Sequence, residues 1–330
     1  MKRVLVIRAA GALGAEICSA LDAVDAVEVV TASRAKADTA VDVASAESIY
    51  LAVQQIDVVV VAAPQRDPVV QRVCAERAIP CVDVSPHGQL LRQVQNELQG
   101  ITVPSVLMCG FFPGLSGILA AHVVQELEFV DEVSVALLQS ANAKVGPTGV
   151  KDMLRKISEP VSTREGGLPG FRYKKQMRFG NQKRTVRRIH YDEQEFLTER
   201  LGVSEIGYYT AWSSPALTAV IAEMKRLGVL ALLARSSLQI APKHNPRKPQ
   251  NASLMVEAKS LAASEGETGT RTIRVEACSD YGATALVTAC VVRYMVNHQA
   301  DLAGVLLPMD FMRLEDMAWA FGKDRMSLWQ

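Results

Sequence analysis

Arg3-Val4-Leu5-Val6-Ile7-Arg8-Ala9-Ala10-Gly11-Ala12-Leu13-Gly14 is the stretch on which the fold turns. The apolar run from Val4 to Ile7 predicts a buried strand, the glycines a tight turn, and Ala15 to Leu21 a helix. Val27 to Thr31 predicts a second strand, which ends at Ser33-Arg34. A strand, glycine turn and helix in this order aim backbone N–H groups and a helix N-terminus at an anion, as in dinucleotide-binding units. Gly11 lets the backbone approach a phosphate, and Gly14 lets the helix pack closely on the strand. The pattern is incomplete. Ala9 stands where Gly-x-Gly-x-x-Gly has its first glycine, and Arg8 where Gly-x-x-Gly-x-x-Gly has it. Ala9 makes the turn if its φ is negative, and Arg8 either reaches the phosphates or fills their place.

Working outward, the end of the second strand sits where an adenosine ribose would lie. An acid there accepts from the 2′-hydroxyl of NAD. Ser33 and Arg34 instead offer a hydroxyl and a guanidinium, which suit the 2′-phosphate of NADP. The expected cofactor is therefore NADP, with NAD the alternative. Thr39 to Val43 predicts a short third strand, with Asp42 a further cofactor-side candidate, and Ser45 an N-cap for the next helix. Val58 to Ala63 is continuously apolar, as a central parallel strand buried on both faces should be. Strands at Pro80–Val84 and Ser105–Cys109 follow, with helices from Pro68 and from Gln89 between them. This alternation predicts an α/β domain over residues 1–128 with a parallel sheet, completed by C-terminal helices at about 281–330. Residues 129–280 read as an α+β domain, with a hairpin from Phe171 to Ile189 turning near Gly180-Asn181 and a long helix following from Tyr281.

Composition narrows the function classes. The chain has 330 residues, about half of them apolar, and a net charge of +1, so no global field recruits nucleic acid or anionic membrane. Its six cysteines form no Cys-x-x-Cys pair and predict reduced thiols in a cytoplasmic protein. Met1-Lys2-Arg3 leads straight into a strand without a signal-peptide core, and no apolar run is long enough to span a bilayer. No His, Cys and Asp residues have metal-ligand spacing, and there is no Gly-x-Ser-x-Gly elbow or Walker loop.

Several segments together resemble the saccharopine dehydrogenase-like reductases. They are the N-terminal turn, Asp57 to Pro64, Ile79 to Ser85, Gly110-Phe111-Phe112-Pro113-Gly114-Leu115-Ser116, Asp280 to Ala285, and Gly304 to Pro308. The resemblance spans nearly the whole chain. It implies a Rossmann-like domain that binds NADP(H) or NAD(H), with a second α/β domain inserted before the final helices. It also implies a homodimer, and redox chemistry at a carbon–nitrogen bond of an amino acid. Two positions depart from the lysine-pathway reductases. Phe112 stands where they carry an acid before Pro-Gly, and Gln65 where they carry a tyrosine after the proline of the fourth-strand loop. These departures argue against saccharopine itself as substrate.

In an open parallel sheet, ligands sit beyond the carboxyl ends of the strands. Ala62, Ala63, Pro64, Gly110 and Phe111 are accordingly the candidates nearest the nicotinamide. His87, just past a strand end, is the candidate proton donor, against the alternative of a helix-capping surface histidine. Asp83 either orients a donor or bonds to backbone at the domain crossing, and Cys109 reads as a buried thiol. Phe112, Lys144, Arg172 and Tyr281 are the candidate substrate contacts. Arg172 opens a basic run through Arg188 that suits substrate carboxylates, or is simply a solvated strand face. The expectation is an NADP(H)-dependent oxidoreductase that moves a hydride at an imine or carbonyl carbon of a small amino-acid-like substrate. The rival expectation is a degenerate dinucleotide fold serving as a regulatory or scaffold subunit.

Overall fold

The alternating pattern of the N-terminal third folds as β1 (Lys2–Ile7), α1 (Ala12–Leu21), β2 (Val27–Ser33), β3 (Thr39–Ala40), α2 (Ala46–Ala52), β4 (Val58–Val61), α3 (Val69–Glu76), β5 (Cys81–Asp83), α4 (Gly88–Glu97), β6 (Pro104–Val106) and α5 (Leu115–Gln125). The computed structural model describes residues 1–34, 37–163, 166–235, 244–260, 269–298, 301–322 and 325–329. The chain divides into two units: Met1–Ile118 with Tyr281–Lys323, and Leu119–Asp280 with Asp324–Gln330.

The middle of the chain supplies β7 (Glu132–Gln139), α6 (Pro147–Ser158), β8 (Val161–Thr163), β9 (Gly166–Leu168), β10 (Lys174–Phe179), β11 (Gln182–Arg188), α7 (Glu193–Leu201), β12 (Glu205–Trp212), α8 (Pro215–Arg226), α9 (Val229–Arg235), β13 (Ala252–Ser260) and β14 (Gly269–Ala277). The C-terminal part gives α10 (Asp280–His298), β15 (Gly304–Leu306), α11 (Ala318–Phe321) and β16 (Met326–Trp329).

The first unit is a seven-stranded parallel sheet in the order β15-β6-β5-β4-β1-β2-β3, a Rossmann-like α/β arrangement. The strand order reverses between β1 and β4, the switch point where such sheets bind ligands. Every residue of β4 is buried, as is the Val4–Ile7 part of β1 beside it, because helices cover both faces of a parallel sheet. The Ser45 side chain accepts from the Ser48 N–H at 3.2 Å and starts α2. β3 is shorter than its sequence suggests. Asp42, just beyond it, accepts from the Ala44 N–H at 3.1 Å, and this turn diverts the chain toward α2.

The second unit holds a seven-stranded mixed sheet, β10-β11-β12-β7-β13-β14-β16, in which β7 and β12 run parallel and the other neighbours antiparallel. The hairpin pairs Phe179 with Gln182, so Gly180 and Asn181 form a two-residue turn, with Gly180 at φ 58°. The polar turn expected over 264–269 lies almost wholly outside the described residues. The C-terminus differs from the expectation of helices closing the first domain. Met326–Trp329 is a strand that pairs with β14 and belongs to the second unit, since Ser327 and Trp329 alternate in exposure with their neighbours as an edge strand does. Among the described residues, no helix is long and apolar enough to cross a membrane.

Candidate functional site

Four backbone hydrogen bonds bring the predicted loops of the first unit side by side. The Ala9 N–H donates to Ala32 O (3.1 Å), Ala62 N–H to Ile7 O (3.1 Å), Val84 N–H to Val61 O (3.2 Å), and Cys109 N–H to Asp83 O (3.0 Å). Each donor lies one to three residues past the end of its strand, so the turns after β1, β2, β4, β5 and β6 share one edge of the sheet.

The glycine turn is built by Arg8. Its φ is 66°, the left-handed region that the missing glycine would occupy freely, whereas Ala9 is not among the residues with positive φ. This conformation turns Arg8 O toward the Gly11 N–H, 2.9 Å away. A Cβ on Gly14 would lie 2.2 Å from Arg8 O, so only glycine lets α1 start so close to the strand. Gly11 caps α1 with no side-chain hydrogen bond, so no side chain caps the N–H groups of its first turn, which includes Ala12, Leu13 and Gly14. The Arg8 side chain lies over this end. Its Cγ and Nε would sit 3.3 and 3.4 Å from a Cβ on Gly11. Among the described residues its guanidinium makes no ion pair.

At the end of β2, Ser33 is buried and Arg34 is exposed. The nearest acid beyond them is Asp38. Its carboxylate accepts from both the N–H (2.9 Å) and the hydroxyl (2.8 Å) of Thr31, contacts that hold it below the usual carboxylate range. Asp42 is likewise engaged with its own turn. Ala62 is buried, Ala63 half-buried and Pro64 exposed at the end of β4.

Asp83 is the feature that the sequence did not place in the site. It ends β5, is 1% exposed, and gathers three donors. Gln65 Nε2 (2.7 Å) and Gln71 Nε2 (2.6 Å) both donate to Oδ2, and the Ser85 N–H (2.7 Å) donates to Oδ1. Burial pushes its pKa up to about 7, against the lowering effect of those three bonds. The other polar atoms of the same partners are unmet: Gln65 Oε1, Gln71 Oε1 and Ser85 Oγ are buried without a hydrogen-bond partner. The backbone bond of Asp83 is local, to Ser85 two residues on, rather than at the domain crossing, and the two glutamines, 18 and 12 residues away in sequence, left no local signal.

His87, half-buried, occupies the N-cap position of α4, and its side chain makes no capping hydrogen bond there. The loop after β6 is tightly folded. Met108 has φ 54°, Phe112-Pro113 is cis, and Gly114 has φ 116°, where a Cβ would collide with Gly110 and Met108 backbone. Thr288 Oγ1 donates to Cys109 O at 3.1 Å, and the Phe111 N–H donates to Thr284 Oγ1 at 3.3 Å, so α10 buttresses this loop. A Cβ on Gly110 would crowd the Thr284 methyl at 3.1 Å. The Phe111 ring is fully buried and its N–H is used, so neither is offered to a ligand; Phe112 beside it is half-buried. Cys109 is fully buried, which pushes its thiol far up. Tyr281, half-buried, is the second residue of α10.

Lys144 and Arg172 lie in the second unit. Lys144 is exposed in the loop between β7 and α6, its N–H bound to Gln250 Oε1 at 3.3 Å. Arg172 is exposed at the start of the hairpin. Several cations of the basic run are engaged within the sheet. Lys175 pairs with Glu132 (2.8 Å) and Glu257 (3.3 Å), Arg188 with Glu205 (2.5 Å), and Arg187 donates to Phe171 O (2.9 Å).

No family model matches the chain, and no curated protein matches it by sequence. Solved structures do. An engineered D-amino acid dehydrogenase bound to NADP+ matches with a TM-score of 0.50 at 14% identity, over 96% of this chain and 98% of that one. Homospermidine synthase from Legionella pneumophila, in complex with NAD, matches with a TM-score of 0.68 at 11% identity, over 99% and 91%. Saccharopine dehydrogenase (L-Glu forming) from Saccharomyces cerevisiae matches with a TM-score of 0.66 at 12% identity, over 100% of both chains. The chain therefore shares, over its full length, the Rossmann-like fold of saccharopine dehydrogenase and homospermidine synthase.

Proposed function

We propose that the protein is an NADP(H)-dependent oxidoreductase acting at an imine or carbonyl carbon of a small amino-acid-like substrate. The observation that carries this reading is the turn after β1. Arg8 adopts the conformation of the absent glycine, and α1 presents an uncapped N-terminus at the switch point of the sheet. These residues fit a pyrophosphate. The end of β2 fits a 2′-phosphate, because Arg34 is exposed beside Ser33 while the nearby acid, Asp38, is committed to Thr31. Structures of the same fold have been solved with NAD and with NADP+.

The cofactor supplies or accepts the hydride. The chain's own part is to hold the reacting carbons close, exclude water and manage a proton. His87, at the cap of α4, is the residue assigned to the proton, with Phe112 and Tyr281 as substrate contacts. Fluorescence titration with NADPH and NADH tests the cofactor. Micromolar NADPH binding with NADH about tenfold weaker is expected, and Arg34→Ala should erase most of that difference. Binding of neither dinucleotide at millimolar concentration overturns the reading.

One observation favours a second reading. The Arg8 side chain lies over Gly11, where a phosphate would approach. In a regulatory or scaffold subunit it would occupy the site outright, and dinucleotide affinity would appear only after Arg8→Gly.

A further inference from the structure

The geometry points to the Asp83 cluster as the seat of the nicotinamide carboxamide, with Gln65 Oε1 as the acceptor for its N–H. This assignment rests on the NADP(H) reading above and goes beyond it by naming what fixes the ring.

Three steps lead to it. Two amides meet at Asp83 Oδ2, and both turn their NH2 groups toward it, the arrangement that an ionised carboxylate requires. Their carbonyls then face away, and each stays buried without a donor, as does Ser85 Oγ. Such atoms are uncommon in a finished structure, and together they ask for a ligand rich in N–H or O–H donors. The reverse placement of both amides would set two carbonyl oxygens against Oδ2, and a single carboxyl proton can satisfy only one of them.

Position supplies the second step. A dinucleotide whose phosphates sit on the turn after β1 reaches both ways from the switch point, with adenosine toward β2 and the nicotinamide toward β4 and β5. Gln65 leaves the end of β4 directly after Ala62, Ala63 and Pro64, and Asp83 ends β5 beside it. The donor-seeking group is thus on the nicotinamide side of the sheet. Third, the carboxamide is the one part of the nicotinamide ring system that carries N–H donors. A substrate amino group is the other source of the same chemistry. Gln65 is half-buried whereas Gln71 is 1% exposed, so Gln65 is the shallower of the two, and Asp83 and Gln71 hold its amide in orientation.

The test compares three ligands by binding: NADPH, its 3-acetylpyridine analogue, in which a methyl ketone replaces the carboxamide, and adenosine 2′,5′-bisphosphate, which lacks the ring. On the wild type, the analogue should bind about tenfold more weakly than NADPH, because a site built to bond an N–H rejects the group without it. Gln65→Met should lower NADPH affinity to the level of the analogue and leave the analogue and the bisphosphate unchanged. Equal wild-type affinity for NADPH and the analogue, with the bisphosphate still bound, overturns the carboxamide assignment and leaves the substrate amino group as the donor. Failure of all three ligands to bind overturns the NADP(H) reading along with it. The wild-type comparison needs no variant to fold.

Discussion

Arg8 holds a conformation that glycine would adopt without strain, and the cost can be weighed. A side chain in the left-handed region costs about 1–2 kcal/mol, while glycine carries about 0.5–1 kcal/mol of additional chain entropy. The strain wins, so Arg8→Gly should stabilise the protein by about 0.5 kcal/mol in urea unfolding. Loss of stability instead would show that the side chain over Gly11 contributes packing. At Asp83 the cost is electrostatic. Its folded pKa of about 7 lies above the ordinary 3.8, so between those values the folded state holds a proton that the unfolded state has lost. The resulting stabilisation is fully present below pH 3.8 and is lost as pH rises through 7. Asp83→Asn removes this dependence. Relative to that variant, the wild type should lose about 2–3 kcal/mol between about pH 5 and about pH 8. Parallel stability curves for the two proteins would show that Asp83 is ionised throughout.

Among the elements, those with a strong local pattern were readable and those defined by distant partners were not. The run Val58–Val61 announced a buried strand because burial on both faces leaves no polar position, and Ser45 announced the start of α2 because its hydroxyl meets a nearby N–H. β16 carried no such mark, since four residues become a strand only through β14, some fifty residues earlier. The Asp83 cluster was hidden for the same reason. A loop, a helix and a strand each contribute one unremarkable polar residue to it. α6 shows a related case. Its last turn buries Lys156, whose Nζ has no hydrogen-bond partner and sits 3.6 Å from the Tyr191 ring centre. Burial lowers the amine from 10.5 to about 8, despite Asp192, Asp152 and Glu159 nearby. Between those values the unfolded chain is protonated and the folded one is not, so stability should rise with pH across that window. Below it, the buried charge carries its full cost, offset in part by the aromatic face. Lys156→Met should therefore stabilise the protein by about 2 kcal/mol near neutral pH, with no gain above pH 10.5. Thermal melts at the two pH values check this, and a destabilised variant at neutral pH would mean that the cation–π contact outweighs the burial.

At the scale of the whole molecule, the first unit is closed by residues that the chain supplies last. Its sheet ends at β15, which pairs with β6 through Gly304 to Leu306, and α10 buries eleven of its nineteen residues. Five of those, Leu286, Val287, Val291, Val292 and Met295, are large apolar side chains. At about 2 kcal/mol each, they contribute about 10 kcal/mol, comparable with the entire stability of an ordinary domain. The same helix supplies Thr284 and Thr288, which hold the loop from Cys109 to Phe111 by its backbone. Residues 1–118 contain the glycine turn and the Asp83 cluster, yet the edge strand and the buttress of the last loop come from beyond residue 280. A chain ending at Asp280 should accordingly show no cooperative unfolding transition attributable to the first unit and no NADPH-dependent shift in melting temperature. Thr288→Val is the milder form of the same test. It keeps the volume of α10 but removes the hydroxyl whose one proton is shared between Cys109 O and Thr284 O, and should cost about 1 kcal/mol. If the shortened chain bound NADPH as tightly as the full one, the returning segment would be an accessory to the cofactor fold. Loss of binding together with an intact Thr288→Val protein would assign closure of the unit to α10 burial and β15 pairing, with the hydroxyl bond setting only the position of the loop.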